Sequence, residues 1–330
     1  MRHLRLLIPD LFPPQDIAAQ ACAGLELPAL GRLLSRASES SCATKTLEDS
    51  LCEAFGVQGI APMRAAVDGL DASEGYWLCA DPVNMQLQPA QAILLPDVIP
   101  LYEEASAICA TLNEHFAGMG LDFSAPHPRR WYLRLKAAPQ MTTTPLRRAA
   151  WNDAKRHQPQ GVDALLWQRT LTEVQMLLYA HPLNQARSER GEPMIASLWL
   201  WGGGWAAPLK SVFDAAGGDS DLAEMFARLS GVTQPGSLLQ MLEGNCESGL
   251  WVCEEPGDAM RRGDIHAWRV AMLQMERELA QPLLKALQTG RLQRLTLEIQ
   301  HEGGARCFEL TGKDAWKLWR SARSLARFAV

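Results

Sequence analysis

Residues 181–204 read HPLNQARSERGEPMIASLWLWGGG, a polar loop followed by a short apolar strand and three consecutive glycines. Glycines after a strand allow backbone N–H groups to approach an anion closely, and the Arg187 guanidinium is a planar fork suited to phosphate or carboxylate. The alternative is a tight turn with an arginine on the surface. No Gly-Lys-Ser/Thr follows the glycines, so the stretch is not a P-loop.

The segments on either side of this stretch predict an α/β fold with a mostly parallel central sheet and helices on both faces. The apolar run at 4–8 ends at Pro9 and Asp10, which is typical of a buried strand with a carboxylate at its carboxyl end. Further strands are predicted at 75–78, 92–95, 131–135, 197–201, 295–299 and 307–310, with a turn at 80–84 and a break at the glycines 202–204. A Gly303–Gly304 turn predicts that the last two strands form a hairpin. Residues 136–161 are predicted to be an exposed excursion. Helices are predicted at 25–37, 46–55, 101–116, 164–180 and from a cap at Asp264 to Gly290. We expect a core formed by residues 1–90 and 189–330 and a smaller inserted subdomain at 91–188.

Composition argues against several classes of protein. The 330 residues carry 37 Asp and Glu against 32 Lys and Arg, a net charge of −5 that suits a nucleic-acid partner poorly. No uncharged apolar stretch is long enough to cross a bilayer, and the apolar run near the N-terminus is too short for a secretion signal. The eight cysteines form no C-x-x-C pair, which indicates reduced thiols. We therefore expect a cytoplasmic protein without a nucleic-acid or membrane partner.

The motif H-P-x-N-x-x-R at 181–187, with the apolar strand and Gly-x-Gly that follow, resembles archaeal-type cofactor-independent phosphoglycerate mutases of the alkaline phosphatase superfamily. It is still more similar to a little-characterised bacterial group labelled phosphoglycerate mutase or regulatory protein. LRLLIPDLFPP at 4–14 is similar to the first strand of the superfamily, with Asp10 at the position of a metal ligand. The helix after Asp264 resembles the G-D-x-x-x-K helix of the mutases, with Trp268 in place of Lys. The resemblance implies an alkaline-phosphatase-like core.

Active members of this superfamily transfer a phosphoryl group through a Ser or Thr nucleophile and two divalent metal ions, held by about six or seven Asp and His ligands. This sequence has no Asp-His dipeptide, and only His266 and His301 lie in its C-terminal third. The two-metal site is therefore expected to be degraded, with Asp10 and Asp264 as the residual metal-ligand candidates. No motif selects a nucleophile among Ser40, Ser41, Thr44, Thr46 and Ser50.

The leading hypothesis is a phosphoglycerate-mutase-like protein that binds a small anionic or phosphorylated ligand or acts as a regulator, without an expected cofactor. Whether it is an enzyme stays open, with a degenerate homologue favoured. The ligand would be held by six residues of the 181–204 stretch, namely Asn184, Arg187, Trp201, Gly202, Gly203 and Gly204. The neighbouring indoles of Trp199, Trp201 and Trp205 either pack in the core or line a pocket.

Two alternatives remain. An active mutase or phosphatase would use Mn, Zn or Mg and rebuild its ligand set from Asp10, Asp258, Asp264 and His266. A non-enzymatic interaction protein would bind a protein partner through the basic, aromatic tail from Trp316 to Arg327, which is predicted to be helical.

Overall fold

The computed structural model describes residues 1–41 and 46–330. In chain order, the strands are β1 His3–Leu7, β2 Ser38–Ser41, β3 Tyr76–Leu87, β4 Ala92–Leu95, β5 Leu121–His127, β6 Arg130–Leu135, β7 Met141–Thr142, β8 Gln160–Gly161, β9 Ser197–Gly204, β10 Ala215–Gly218, β11 Ser248–Val252, β12 Arg294–His301 and β13 Gly304–Thr311. The α-helices are α1 Gln15–Cys22, α2 Pro28–Arg36, α3 Leu47–Phe55, α4 Ala61–Val67, α5 Tyr102–His115, α6 Leu146–Ala149, α7 Ala164–Ala180, α8 Pro182–Glu189, α9 Asp221–Ser230, α10 Leu238–Glu243, α11 Glu255–Arg261, α12 Ile265–Met275 and α13 Gln281–Gln288.

The chain divides into two compact units. The first unit comprises Met1–Gly56 with Leu209–Val330, and the second comprises Val57–Pro208. These limits differ from the expected ones, since residues 57–90 and 189–208 fall in the second unit. The reason is strand pairing, because β3 pairs with β9 along one edge and with β6 along the other.

The first unit contains a six-stranded sheet in the order β10-β11-β1-β12-β13-β2. The pairs from β10 to β12 are parallel, whereas β13 runs antiparallel to both of its neighbours. Leu4 and Leu6 of β1 are buried at the centre of this sheet, as a strand with neighbours on both sides requires. The expected mixed α/β fold with a mostly parallel central sheet is confirmed, and so is the β12–β13 hairpin.

The long helical segment after Asp264 begins as predicted, since the Asp264 carboxylate accepts a hydrogen bond from the backbone N–H of Ala267 at 2.8 Å. A π-helical turn, Glu276–Ala280, separates α12 from α13. The buried Glu276 carboxylate in this turn accepts hydrogen bonds from the N–H groups of Ala29 and Leu30, at 2.7 and 2.9 Å. The π turn therefore supplies the cap for the N-terminus of α2, where a carboxylate also meets the positive end of the helix dipole.

The second unit is built on an antiparallel sheet in the order β9-β3-β6-β5, with β4 paired to the far end of β3. The turn predicted at 80–84 is wrong, because β3 continues through these residues while Asp81 and Pro82 pair with β9. The break predicted after Trp201 is also wrong, since β9 extends to Gly204. Tertiary partners on β9 and α4 outweigh the turn preference of Asp and Pro here.

Two further predictions concern exposed segments. The excursion at 136–161 contains the short β7–β8 pair and α6. The helix predicted from Trp316 to Arg327 is wrong, because only short 3₁₀ turns form at Asp314–Trp316 and Leu325–Phe328. Phe328 instead stacks on Phe12 with ring centroids 5.7 Å apart. No helix within residues 1–41 and 46–330 is long and apolar enough to span a membrane.

Candidate functional site

Polar residues lie at or just after the carboxyl ends of the parallel strands of the first unit. Asp10 follows β1, Asp219 follows β10, Glu254 follows β11, and β12 ends with Gln300 and His301. Parallel strands present their carboxyl ends at one edge of a sheet, and this edge is where α/β proteins bind their ligands. It is therefore the natural candidate site of the first unit.

Asp10 is held by an arginine at this edge. Its backbone lies in the left-handed region, with φ 54°, and its N–H donates to the carbonyl oxygen of Gln300 at 2.8 Å. Its carboxylate accepts a hydrogen bond from Nη1 of Arg261 at 2.5 Å. The same guanidinium donates through Nη2 to the carboxylate of Asp258. Arg261 thus bridges two carboxylates and supplies the positive charge beside the strand end.

The position of Arg261 follows from how α11 is anchored. The Asp219 carboxylate accepts hydrogen bonds from the N–H groups of Glu254 and Glu255, at 2.6 and 3.0 Å, at the start of this helix. One turn later, Gly257 lies so close to the loop after β1 that an added Cβ would be 2.1 Å from the carbonyl oxygen of Pro9. Helix α11 therefore packs directly against the loop after β1, which brings Arg261 at the end of the helix within hydrogen-bond distance of Asp10.

The other residues considered as metal ligands in the first unit are exposed at the start of α12. Asp264 is an exposed helix cap, and His266 is exposed on α12. Among residues 1–41 and 46–330, no group of three or more His, Cys, Asp and Glu side chains is placed to hold a metal ion. The side-chain partner that the structure gives the Asp10 carboxylate is Arg261.

The nucleophile candidates occupy different settings. Ser40 and Ser41 are exposed on the edge strand β2, and Thr44 lies outside the described residues. Thr46 caps α3, since its hydroxyl accepts a hydrogen bond from Asp49 N–H at 3.1 Å. This capping role is the ordinary one for a threonine before a helix.

Ser50 belongs to a buried polar network that the sequence did not predict. Its hydroxyl donates to the Glu298 carboxylate, and it accepts a hydrogen bond from the Gln300 amide at 3.0 Å. Arg5 donates to the same carboxylate through Nε at 2.9 Å and Nη2 at 2.5 Å. The signal was present in the strand LTLEIQH, where Glu298 and Gln300 alternate with apolar residues on a buried strand. Because Ser50 is fully enclosed, this network stabilises the sheet and offers no accessible hydroxyl.

In the second unit, Asn184 and Arg187 make contacts within the protein. The Asn184 amide bonds to the carbonyl oxygens of Leu178 and Ile195 and accepts from the Ile195 N–H, at 2.7 to 2.9 Å. Arg187 is 1% exposed, and its Nη1 lies 2.6 Å from the Glu104 carboxylate. Asn184 therefore joins the end of α7 to the segment before β9, and Arg187 pairs with an acid of α5.

Arg187 and its neighbour Arg190 share the same acid. Arg190 Nη2 also contacts the Glu104 carboxylate at 2.6 Å, and the backbone N–H of Leu101 donates to it at 2.9 Å. Burial alone would raise the pKa of Glu104, but these hydrogen bonds lower it below its usual value. Glu104 is thus a buried carboxylate kept ionised by its partners.

Trp201 and the glycines after it also have internal partners. The Trp201 indole donates to Asp81 at 2.8 Å, and an added Cβ on Gly203 would lie 2.3 Å from the Tyr76 hydroxyl oxygen. The backbone of Gly59 lies against Gly203 and Gly204 on another side, with an added Cβ on Gly59 only 2.1 Å from the Gly203 carbonyl oxygen. Crowding by the Tyr76 side chain at Gly203 and by the Gly59 backbone at Gly204, together with a φ of 65° at Gly202, thus accounts for the three glycines.

Comparisons with known proteins bear on the fold. Neither a protein-family model nor a curated protein matches the chain. Among solved structures, the chain is similar to the PH0037 protein from Pyrococcus horikoshii, with a TM-score of 0.54 and 12% identity over 99% of this chain and 92% of that one. It is also similar to the cofactor-independent phosphoglycerate mutase from Thermoplasma acidophilum, with a TM-score of 0.43 and 14% identity over 99% and 94% of the chains. At these identities the similarities concern the fold alone.

Proposed function

We propose that this chain is a phosphoglycerate-mutase-like protein in which an arginine has taken the place of the metal ions. The protein then acts by binding a small anionic or phosphorylated ligand and does not transfer a phosphoryl group. The observation that carries the proposal is the contact of Arg261 with both Asp10 and Asp258 at the end of β1. The single positive charge of the guanidinium offsets one of the two negative charges of these carboxylates, but, unlike a metal ion, the guanidinium has no open coordination position for a phosphate oxygen or a nucleophile.

The donor set does not fit a pair of divalent ions. Metal ions in such sites need several oxygen or nitrogen ligands each. To bind beside Asp10, an ion would first have to displace Arg261 from a half-buried contact. The two other candidates are exposed, and one of them has another role, since Asp264 caps α12 and His266 faces solvent. No reaction step is therefore assigned to a metal.

The proposal is tested by removing the arginine. The Arg261→Ala variant removes the positive charge that the carboxylates of Asp10 and Asp258 share, so the negative charge beside β1 increases and attracts a divalent ion more strongly. We expect Mn²⁺ to raise the melting temperature of Arg261→Ala and to leave that of the unchanged protein the same. The matched control is Arg262→Ala, which removes an exposed arginine one residue later and should behave like the unchanged protein.

The rival function is an active mutase or phosphatase with a rebuilt ligand set. For that function, Mn²⁺, Zn²⁺ or Mg²⁺ would stabilise the unchanged protein, and 3-phosphoglycerate would be converted to 2-phosphoglycerate at a rate abolished by Asp10→Ala. Observing both would overturn the proposal. If the metal ions neither stabilise the unchanged protein nor support turnover, the result agrees with the proposal.

A second candidate function is binding of a protein partner through the C-terminal tail, favoured by its exposed aromatic residues. Trp316, Leu318 and Trp319 are all exposed, and the Trp319 side chain is 79% exposed. Arginines at 320 and 323 give the same segment a positive charge. Large apolar groups with a basic rim suit an acidic, partly apolar peptide.

This second function is tested with a fluorescent peptide of alternating Glu and Leu residues. We expect the peptide to bind at low salt and its affinity to fall in a Trp316→Ser, Trp319→Ser double variant. The control is Trp205→Ser, which removes an exposed indole from the other unit. Equal binding to both variants would reject the tail as the docking surface.

A further inference from the structure

The second unit contains an open cleft of about 540 Å³ at one end of its sheet. Its walls come from the segment before β3, the glycines after α5, the start of β5, the end of β6 and the residue after β9. The volume lies in the range of about 300–1,000 Å³ that is usual for small-molecule sites. All of its lining residues lie within the second unit, so the cleft is independent of Asp10 and Arg261.

Trp205 provides a flat apolar wall. Its side chain is 46% exposed, unlike the buried Trp199 and Trp201 of the same segment. The indole packs edge-on against the Tyr76 ring, with centroids 5.6 Å apart and planes at 74°. Tyr76 in turn lies against Gly203, as its short distance to an added Cβ there indicates. The exposed ring is thus held by a partly buried neighbour and offers one face for stacking.

The remaining walls carry balanced charges. Glu74 and Asp122 contribute two carboxylates, while Arg134 and Lys136 contribute two cations. Arg134 lies 2.7 Å from Asp122, and its guanidinium is also placed over the Trp77 ring at 5.9 Å. In the described part of the chain, no hydrogen bond or ion pair engages Lys136. The formal charges of the cleft therefore sum to zero while several donors and acceptors remain available.

These features select among ligand classes. A polyanion would meet two carboxylates, and a wholly apolar ligand would remove water from four charged groups without replacing their hydrogen bonds. A molecule with many hydroxyl groups can donate to the carboxylates and accept from Arg and Lys at the same time. If it also has a flat ring with C–H groups on one face, that face can lie on the indole.

We infer that this cleft is a binding site for a neutral saccharide, with one sugar ring stacked on Trp205 and its hydroxyls bonded to Asp122, Arg134 and Lys136. The inference goes beyond the proposed function, because it needs neither a metal site nor the strand-end carboxylate. A sugar could bind here whether or not the first unit is catalytic.

The experiment is saturation-transfer NMR and calorimetric titration of the full chain with glucose, maltose, cellobiose and diacetylchitobiose. We expect saturable binding of at least one of these sugars, and a loss of affinity of about tenfold or more in Trp205→Ala, because stacking on the indole is lost. Tyr179→Ala removes an exposed aromatic side chain outside the cleft and should bind as the unchanged protein does. Asp122→Asn should weaken binding and keep the fold, since this carboxylate is solvent-exposed.

Three results would overturn the inference. The first is that none of the four sugars binds. The second is that Trp205→Ala binds the sugar as tightly as Tyr179→Ala does. The third is that glucose 6-phosphate or inorganic phosphate binds through Lys136 while the neutral sugars do not, which would make the cleft an anion site.

Discussion

Replacing Arg187 by Met separates a structural role for this residue from a ligand-binding role. Arg187 is 1% exposed and pairs with the Glu104 carboxylate at 2.6 Å. Removing one partner of a buried ion pair costs about 3–5 kcal/mol, because a charge is left buried without compensation. Here Glu104 keeps the N–H of Leu101 and the guanidinium of Arg190, so we expect a loss near the lower end, about 3 kcal/mol.

Two companion variants make the magnitude interpretable. Arg190→Met removes a guanidinium that is 44% exposed, and because solvent screens its ion pairs we expect it to cost clearly less stability than Arg187→Met. Combining Arg187→Met with Glu104→Gln removes the uncompensated charge, so the double variant should lose less than the sum of the two single changes. The carbonyl oxygen of Pro193 also loses its Arg187 donor, at 2.9 Å, in both Arg187 variants.

The assay is urea unfolding monitored by far-UV circular dichroism. The variants are compared with one common slope of the unfolding free energy against urea concentration. A cost for Arg187→Met no larger than that for Arg190→Met would refute the reasoning. If Arg187 served chiefly to hold an anion, its removal would leave the ligand-free protein as stable as before and would abolish stabilisation by phosphoglycerate.

Two further predictions test the packing of α11 against the loop after β1 and the role of a buried carboxylate of the second unit. Gly257→Ala should destabilise the protein by about 1–3 kcal/mol, because the new methyl group would lie 2.1 Å from the Pro9 carbonyl oxygen. The control is Gly236→Ala, whose methyl group would meet only a flexible glutamine side chain. In the same urea assay, this control should cost less stability. Burial would raise the pKa of Asp68, but its hydrogen bonds, above all those from Arg130, lower it. The ionised form therefore stabilises the fold above pH 4, and the stability advantage over Asp68→Asn should shrink as the pH falls below about 4. The measurement is the stability of the unchanged protein and of Asp68→Asn as the pH is lowered. A difference in stability between the two proteins that stays the same down to pH 2 would contradict a stabilising role for the ionised Asp68 carboxylate.

The central strands and the long helix were predictable because local signals determine them. The run at 4–8 is apolar throughout, as a strand buried on both faces requires, and Asp264 precedes a periodic apolar segment that ends at Gly290. The Gly303–Gly304 turn likewise predicted the β12–β13 hairpin. In each case the residues that decide the structure are close neighbours in the sequence.

The site was predictable only in part, because its contacts join distant segments. The sequence placed Asp10 at a strand end, but its partner Arg261 lies 251 residues later and no local pattern links them. The motif predicted that Arg187 binds a ligand, and its contact with Glu104, 83 residues earlier, was not predicted. Long-range pairing also explains why β3 continues through Asp81, which bonds to the Arg64 guanidinium from α4. Such pairs depend on the assembled fold, which single-sequence patterns do not contain.

The metal content of the purified protein tests the role of Arg261 most directly. The full chain is incubated with Mn²⁺ and Zn²⁺, freed of loosely bound ions on a desalting column, and analysed by inductively coupled plasma mass spectrometry. With the Asp10 carboxylate held by Arg261, we expect no ion to be retained in stoichiometric amount. Two ions retained per chain, and lost in Asp10→Ala, would contradict the replacement of the metals by arginine.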